Sequence, residues 1–529
     1  MKNVSFFALV LFSFLLAPSA LAFQKNVPST KEAEIDAFVR KVMAQFEVPG
    51  LSLSIVKDGK PVLAKGYGAS SLETGAKVDE HTLFGIASNT KAFTATALGM
   101  LEEEGLLGWD EPVIDYLPSF RMSDPFVTEE MTIRDLLVHR SGLGLGAGDL
   151  MWWPPSDYDR KEIVRRLRYL PLETSFRSAY AYDNVLYSVA GEVIEAISGQ
   201  TWEDFVQERI LDRIGMTESN VLHSAAGHGA NSATPHAPVD GVVKVISAFA
   251  SDNTNPAGGI NANAVDIAKW MIVQLDSGRV SLDTQSDPSR LFSRRTTQEL
   301  WSIVTPKPIS EPPSYLKATR TNFYGYGLGF NVQDYRGRKM VTHTGGLPGF
   351  VSRIAMIPDT KLGIAVFTNQ ESGYAFNAIV NYILDAYLEA QDTDWLEAYT
   401  ISANASAAWV AAIEAQSAGS RNAESKPSLP LPDYAATYTD VWYGDVAVME
   451  NEGTLRMQFT HTPSLVGNLE HWQYDTFLVR WDDRELRADA FITFTLGPDG
   501  RIESAKMAAA SPLVDFSYDF EDLLLRPKK

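Results

Sequence analysis

Three copies of Ser-x-x-Lys occur in this chain: Ser54-Ile-Val-Lys57, Ser88-Asn-Thr-Lys91 and Ser314-Tyr-Leu-Lys317. On a helix, a step of three returns the lysine to the face that carries the serine, so an amine there can take the proton of a hydroxyl attacking a carbonyl. The surrounding sequence separates the copies. Ser54 and Lys57 fall in Leu51–Tyr67, where apolar and polar residues alternate about Asp58-Gly59. That segment reads as a β-hairpin, and positions three apart on a strand face opposite ways. Ser314 follows Glu311-Pro312-Pro313, with no helical period around it. Only Ser88 stands at the start of a long apolar stretch, Thr90–Leu107, whose apolar residues recur at steps of three and four. A buried helix is expected there, and its free N–H groups favour negative charge developing beside Ser88. A serine in this place can also do no more than cap the helix.

Attack by a hydroxyl needs a base, a proton donor for the leaving group and a site for the oxyanion. Tyr182-Asp183-Asn184, the only Tyr-x-Asn in the chain, precedes the helical period Val185–Ile197. It also fits a packed loop tyrosine followed by a capping asparagine. His343-Thr344-Gly345-Gly346 ends the strand pattern Lys339–His343 and leads through Leu347-Pro348-Gly349 into Phe350–Ile357. It also fits a glycine-rich turn with an exposed histidine. Two glycines in a row would let a substrate backbone lie close.

The elements that must hold these residues are legible in outline. Helical periods lie at Glu32–Phe46, Thr132–Val138, Lys161–Leu167, Thr201–Ile210 and Ala264–Leu275, and late strand patterns at Gly325–Val332, Lys339–His343, Phe350–Ile357 and Leu362–Thr368. An early hairpin, a helical middle and late strands predict one α/β (α+β) domain whose sheet joins both ends of the segment. A Ser, Ala and Pro-rich stretch, 401–432, reads as a linker. Beyond it, short strand patterns at Val446–Glu450, Thr454–Phe459, Thr476–Arg480, Ala490–Leu496 and Arg501–Met507 predict a small antiparallel, barrel-like β-domain over 433–529.

The order Ser-x-x-Lys, Tyr-x-Asn, His-Thr-Gly resembles the serine β-lactamase and penicillin-binding-protein superfamily, in particular its class C-like peptidase and esterase branch. Thr132–Gly142, Pro256-Ala257-Gly258-Gly259-Ile260 and His343–Phe350 are further local matches, and the resemblance spans residues 32–390. It implies a central antiparallel sheet with a helical subdomain, within a hydrolase domain taken as 23–400. It implies Ser88 as nucleophile of an acyl-enzyme, with Lys91, Tyr182 or both as base. Tyr182 is then the proton donor, Asn184 holds the substrate amide or the Lys91 ammonium, and the oxyanion hole is the N–H groups of Ser88 and Gly346. Neither cofactor nor metal is implied. Lys91 would need its pKa lowered far below about 10.4 to serve as base. Where many β-lactamases carry a lysine in the third motif, this chain has His343, a poorer partner for a substrate carboxylate. The departure favours a peptidase or esterase, with His343 orienting the substrate or Tyr182. The tail after the linker is similar to the small β-domain often appended to such hydrolases.

Composition narrows the partners. The chain has 529 residues, no cysteine and a formal charge of −20. Thiolate catalysis, disulfides and Fe–S clusters are excluded, and so strong a negative charge disfavours nucleic acid. The eight histidines show no metal-ligand spacing, and no Gly-x-Ser-x-Gly or His-Glu-x-x-His is present. Lys2, an apolar run Phe6–Leu16 and Pro18-Ser19-Ala20-Leu21-Ala22 read as a signal peptide, 1–22, cleaved after Ala22. A periplasmic or secreted protein is expected, with no later membrane span. The expectation is a serine hydrolase acting on a small peptide, amide or ester, foremost a peptidase on short peptides with D-residues or of non-ribosomal origin. A carboxylesterase and a slowly acylated penicillin-binding or sensing protein are the alternatives. Substrate choice should lie in loops such as Gly144–Tyr158, where Trp152-Trp153-Pro154-Pro155 could wall a cleft, and Arg279–Asn322.

Overall fold

A computed structural model describes residues 29–280, 289–390 and 392–528. The leader expected at 1–22, and residues 281–288 of the loop 279–322, lie outside the described residues. In chain order, the elements that frame the site begin with α1 (Ser29–Gln45), β1 (Gly50–Lys57) and β2 (Lys60–Gly68). A 3-10 turn, Ala87–Thr90, runs directly into α2 (Lys91–Glu103), followed by α3 (Val185–Ser198) and α4 (Ala264–Leu275). Then come β3 (Tyr324–Tyr326), β4 (Asn331–Tyr335), β5 (Arg338–Leu347), β6 (Phe350–Ile357), β7 (Leu362–Thr368), α5 (Gly373–Leu388) and α6 (Trp395–Ser420).

The main sheet is antiparallel throughout, in the order β2-β1-β7-β6-β5-β4-β3, with the short strand Thr305–Pro306 at its far edge. Leu51 pairs with Thr368 and Lys57 with Leu362, so the two ends of the domain zip together as expected. β1 is buried on both faces because helices cover both sides. Ile35, Val39, Ile379 and Ile383 of α1 and α5 pack on one face. α4 and α2 cover the other, where Phe93 stacks on Trp270 at 3.7 Å between ring centroids. Eleven consecutive residues of α2, Lys91–Leu101, are buried. A helix sunk this deeply keeps its first turn rigid relative to the sheet.

Three local expectations differ. The strand pattern Gly325–Val332 is two strands, split by a turn in which Gly327 N–H donates to the Phe330 carbonyl and Gly329 has φ +80°. A Cβ at Gly329 would lie 2.7 Å from the Lys91 carbonyl oxygen, so the turn is where the sheet edge meets the start of α2. Thr132–Val138 holds only a 3-10 turn, Asp135–Leu137: Thr132 and Asp135 bond reciprocally as at a helix start, but the chain leaves helical geometry at Val138 and at His139, whose φ is +56°. The linker read at 401–432 is helical to Ser420 as the second half of α6: its alanines carry the best helix propensity, and only the proline-bearing remainder leaves the helix.

The C-terminal strands are β8 (Ala436–Asp440), β9 (Gly444–Asn451), β10 (Thr454–Phe459), β11 (Val466–Gln473), β12 (Thr476–Trp481), β13 (Ala490–Leu496) and β14 (Ile502–Ala509). They form one antiparallel meander that curls until Ala505 of β14 pairs with Leu525, which adjoins the short strand Arg526–Pro527 on β8. The barrel is therefore nearly closed. Aromatic side chains fill it, among them Tyr434, Tyr438, Phe459, Phe477, Trp481 and Phe494.

Candidate active site

Ser88 lies in the 3-10 turn before α2, and the turn is anchored from both sides. Ser352 of β6 donates to the Ile86 carbonyl at 2.6 Å and accepts from Asn89 at 2.8 Å, while Ile86 N–H donates to Ile260. Ala87 is held at φ +50°, a conformation that L-residues avoid and that persists only where neighbours enforce it. No side chain caps either the turn or α2. The hydroxyl of Ser88 instead accepts from Lys91 Nζ at 3.2 Å. A capping role for Ser88 thus lacks its hydrogen bond.

Lys91 is fully buried, and its Nζ also donates to Asn184 Oδ1 at 2.7 Å and the Ala257 carbonyl at 3.0 Å. The rings of Tyr182 and Tyr187 lie 4.8 and 5.1 Å from it. Burial brings its pKa down to about 7, against the opposing pull of Asp149 and Asp183. Burial pushes the Tyr182 phenol well above its ordinary range, with the Ser88 hydroxyl acting the other way. The Asn184 carboxamide is committed at both ends, since its Nδ2 donates to Asp149 Oδ2 at 2.7 Å.

His343 is buried. Its Nδ1 faces the Thr344 carbonyl at 2.6 Å, so Nδ1 carries the proton, and Nε2 accepts from the Tyr326 hydroxyl at 2.7 Å. Burial, then Lys91, lowers its pKa to about 3 and keeps it neutral. Both ring nitrogens are occupied, and the ring lies 6.4 Å from that of Tyr182. β4 pairs with β5 only as far as Thr342, so His343–Leu347 is a free edge. Gly345 on this edge presses against the Ser88 turn: a Cβ there would lie 2.3 Å from the Ile86 carbonyl oxygen, whereas one at Gly346 meets nothing. Gly345→Ala is therefore expected to destabilise the fold by about 1–3 kcal/mol and disrupt the edge. Gly346→Ala should melt as the wild type does and lose activity only through substrate contact. Melting curves and kcat/KM for the two variants check this.

A cleft of 610 Å³ opens at Gly346 between the two domains. Trp153, Phe249 and Leu347 wall it on one side, and Leu486, Leu513 and Tyr518 on the other. Trp153, Pro154 and Pro155 line it as a wall, while Trp152 turns inward and donates its indole N–H to Asp149 at 2.9 Å. Asp149 and Ser517, both buried and joined to Asn184 through the Asp149 carboxylate, carry no motif that singles them out in the sequence. His139 lies in the segment 132–142, where the chemistry gave no reason to single it out. It is ringed by Tyr180, Tyr182, Tyr187 and Tyr326. Among the described residues no cluster of three or more His, Asp or Glu is arranged for a metal, and no helix is long and apolar enough to cross a membrane.

A sequence-family model described as Beta-lactamase matches residues 35–388, and one described as a domain of unknown function (DUF3471) matches 420–527. The chain is 27% identical over 496 residues to an unguisins hydrolase, ungD, of Aspergillus violaceofuscus, covering 85% of this chain and 83% of that protein. An octameric penicillin-binding protein homologue from Pyrococcus abyssi superposes with a TM-score of 0.56 at 21% identity, over 93% of this chain and 99% of that one. A D-amino acid amidase from Ochrobactrum anthropi superposes with a TM-score of 0.54 at 23% identity, over 68% and 100%.

Proposed function

The chain belongs to the Beta-lactamase family of serine hydrolases, and from that premise we propose that it is exported and cleaves short peptides or similar small amides through an acyl-enzyme on Ser88. The observation that carries this reading is the fully buried Lys91 amine hydrogen-bonded to Ser88, where burial lowers its pKa to about 7. Ser88 Oγ attacks the amide carbonyl as its proton passes to Lys91. The oxyanion is held by the N–H groups of Ser88 and Gly346. Tyr182, whose phenol stays protonated, gives its proton to the departing amine and recovers one from Lys91. Water then adds to the acyl group, returning Ser88 and releasing the acid. The lowered pKa of Lys91 thus favours the amine as base, and the raised pKa of Tyr182 argues against a phenolate in that role.

The relatives support amide substrates, since one is an unguisins hydrolase and another a D-amino acid amidase. A neutral, doubly occupied His343 supports a substrate whose recognition does not depend on a cation at that position. The aromatic and aliphatic part of the interdomain cleft suits a bulky apolar side chain, beside a charged part with Glu371, Asp483, Glu485, Arg487 and Asp515. The test is a panel of D- and L-aminoacyl amides, short linear peptides, p-nitrophenyl esters and nitrocefin. Sustained turnover is expected on an amide with an apolar side chain, at higher kcat/KM than on nitrocefin. Turnover of esters alone would make the chain a carboxylesterase. Release of a single equivalent from every substrate would make it a trap or sensor.

A further inference from the structure

The segment Asp515–Asp519 of the C-terminal domain reaches the loop that flanks the catalytic groups. Phe516 stands edge-on to the Tyr182 ring, 6.1 Å between centroids, and a Cβ at Gly146 would lie 2.7 Å from its ring. Asp519 Oδ2 accepts from Gly148 N–H at 2.6 Å. Between them, the buried Ser517 hydroxyl donates to Asp149 Oδ2 at 2.9 Å. The same oxygen takes the Asn184 Nδ2 proton, which leaves Asn184 Oδ1 facing Lys91. A carboxylate accepts only, so it fixes which way the carboxamide points, and the carboxamide fixes the amine. From this geometry we propose that Ser517 is a positioning residue for Lys91, through Asp149 and Asn184, and that the C-terminal domain thereby completes the active site.

The proposal rests on Lys91 being the base. Asp149 holds three donors, from Trp152, Asn184 and Ser517, and burial still raises its pKa to about 7, which makes its charge sensitive to each of them. The charged groups that act on Lys91 are Asp149 and Asp183, with His139 and His343 held neutral around it. Burial, then Asp522, raises the Asp519 pKa well above the ordinary carboxylate range, with Asp149 adding to the rise. Loss of the Ser517 donor destabilises the Asp149 carboxylate. Its protonation removes an anion that favours the Lys91 ammonium, so the Lys91 pKa falls further. A protonated Asp149 also becomes a donor itself and releases the Asn184 carboxamide from its single orientation.

The test compares Ser517→Ala and Ser517→Thr with the wild type in melting temperature, kcat, KM and the pH profile of kcat/KM. Ser517→Ala is expected to fold, keep KM within about twofold and lose about tenfold in kcat, the size of one charge-assisted hydrogen bond. Its acid limb should move to lower pH, and Ser517→Thr, which keeps the hydroxyl, should restore limb and rate. A Ser517→Ala profile superimposable on the wild type overturns the proposal alone, as does a rate that falls only with the folded fraction. A Lys91→Met variant that keeps the wild-type acid limb overturns the base assignment and the proposal together.

Discussion

Ser88→Ala is expected to lose at least about 10⁴-fold in kcat while melting close to the wild type, as measured by steady-state kinetics and a thermal scan of the same preparation. The two halves of this result have separate causes. In the proposed mechanism the hydroxyl is the one group that bonds to the acyl carbon, so nothing nearby substitutes for it. Its part in stability is a single hydrogen bond from Lys91, worth about 1 kcal/mol, because the turn is held by Ser352, Asn89 and Ile260 instead. Residual activity in a folded variant would move the nucleophile elsewhere.

Lys91→Met should follow with a loss of about 10²- to 10⁴-fold, the span of general-base catalysis. The wild-type pH profile supplies the sign. Below about pH 7 Lys91 holds its proton and cannot take another, so kcat/KM falls about tenfold per pH unit on the acid side. Asp149 and Asp183 are also raised to about 7 and couple to Lys91, so they shift the pH at which its limb falls. In Lys91→Met the residual rate should lose that limb. Methionine leaves Asn184 Oδ1 and the Ala257 carbonyl without their donor, but it also removes a buried ammonium. The melting temperature should therefore change much less than the rate.

The parts of the site legible in the sequence are those that depend on local geometry. Ser88 and Lys91 follow from a three-residue step on an apolar helix, and Asn184 from its place before α3. Gly345 and Gly346 read in the sequence as room for a substrate backbone; the free edge they occupy and its contact with the Ser88 turn are seen only in the structure. What the sequence does not disclose is contact at long range. Ser517 lies 368 residues from Asp149, in a segment with no strand period and no motif. The environment of His343 is hidden for a similar reason: its partner Tyr326 sits on another strand, and a burial that keeps the ring neutral has no signature in one histidine.

The same distinction runs through the fold. The hairpin β1–β2 and the helices α3 and α4 have clean periods and fall where those periods predict. β11 was not foreseen, because Val466–Gln473 mixes Gly, Asn, Glu, His and Gln on a strand of which only Gly467 and Leu469 are buried. Residues 401–420 of α6 read as part of a linker in the sequence because Ser and Ala predominate there and no apolar stripe repeats. Helix propensity, rather than an apolar stripe, carries it past Tyr399.

Intact-mass spectrometry and peptide mapping of the enzyme quenched during turnover of a p-nitrophenyl ester or a slow amide tests the chemistry most directly. One acyl group is expected, on the peptide that contains Ser88, appearing before steady state and decaying as substrate runs out. An adduct on any other peptide, or none at all from an enzyme that is turning over, would contradict nucleophilic attack by Ser88.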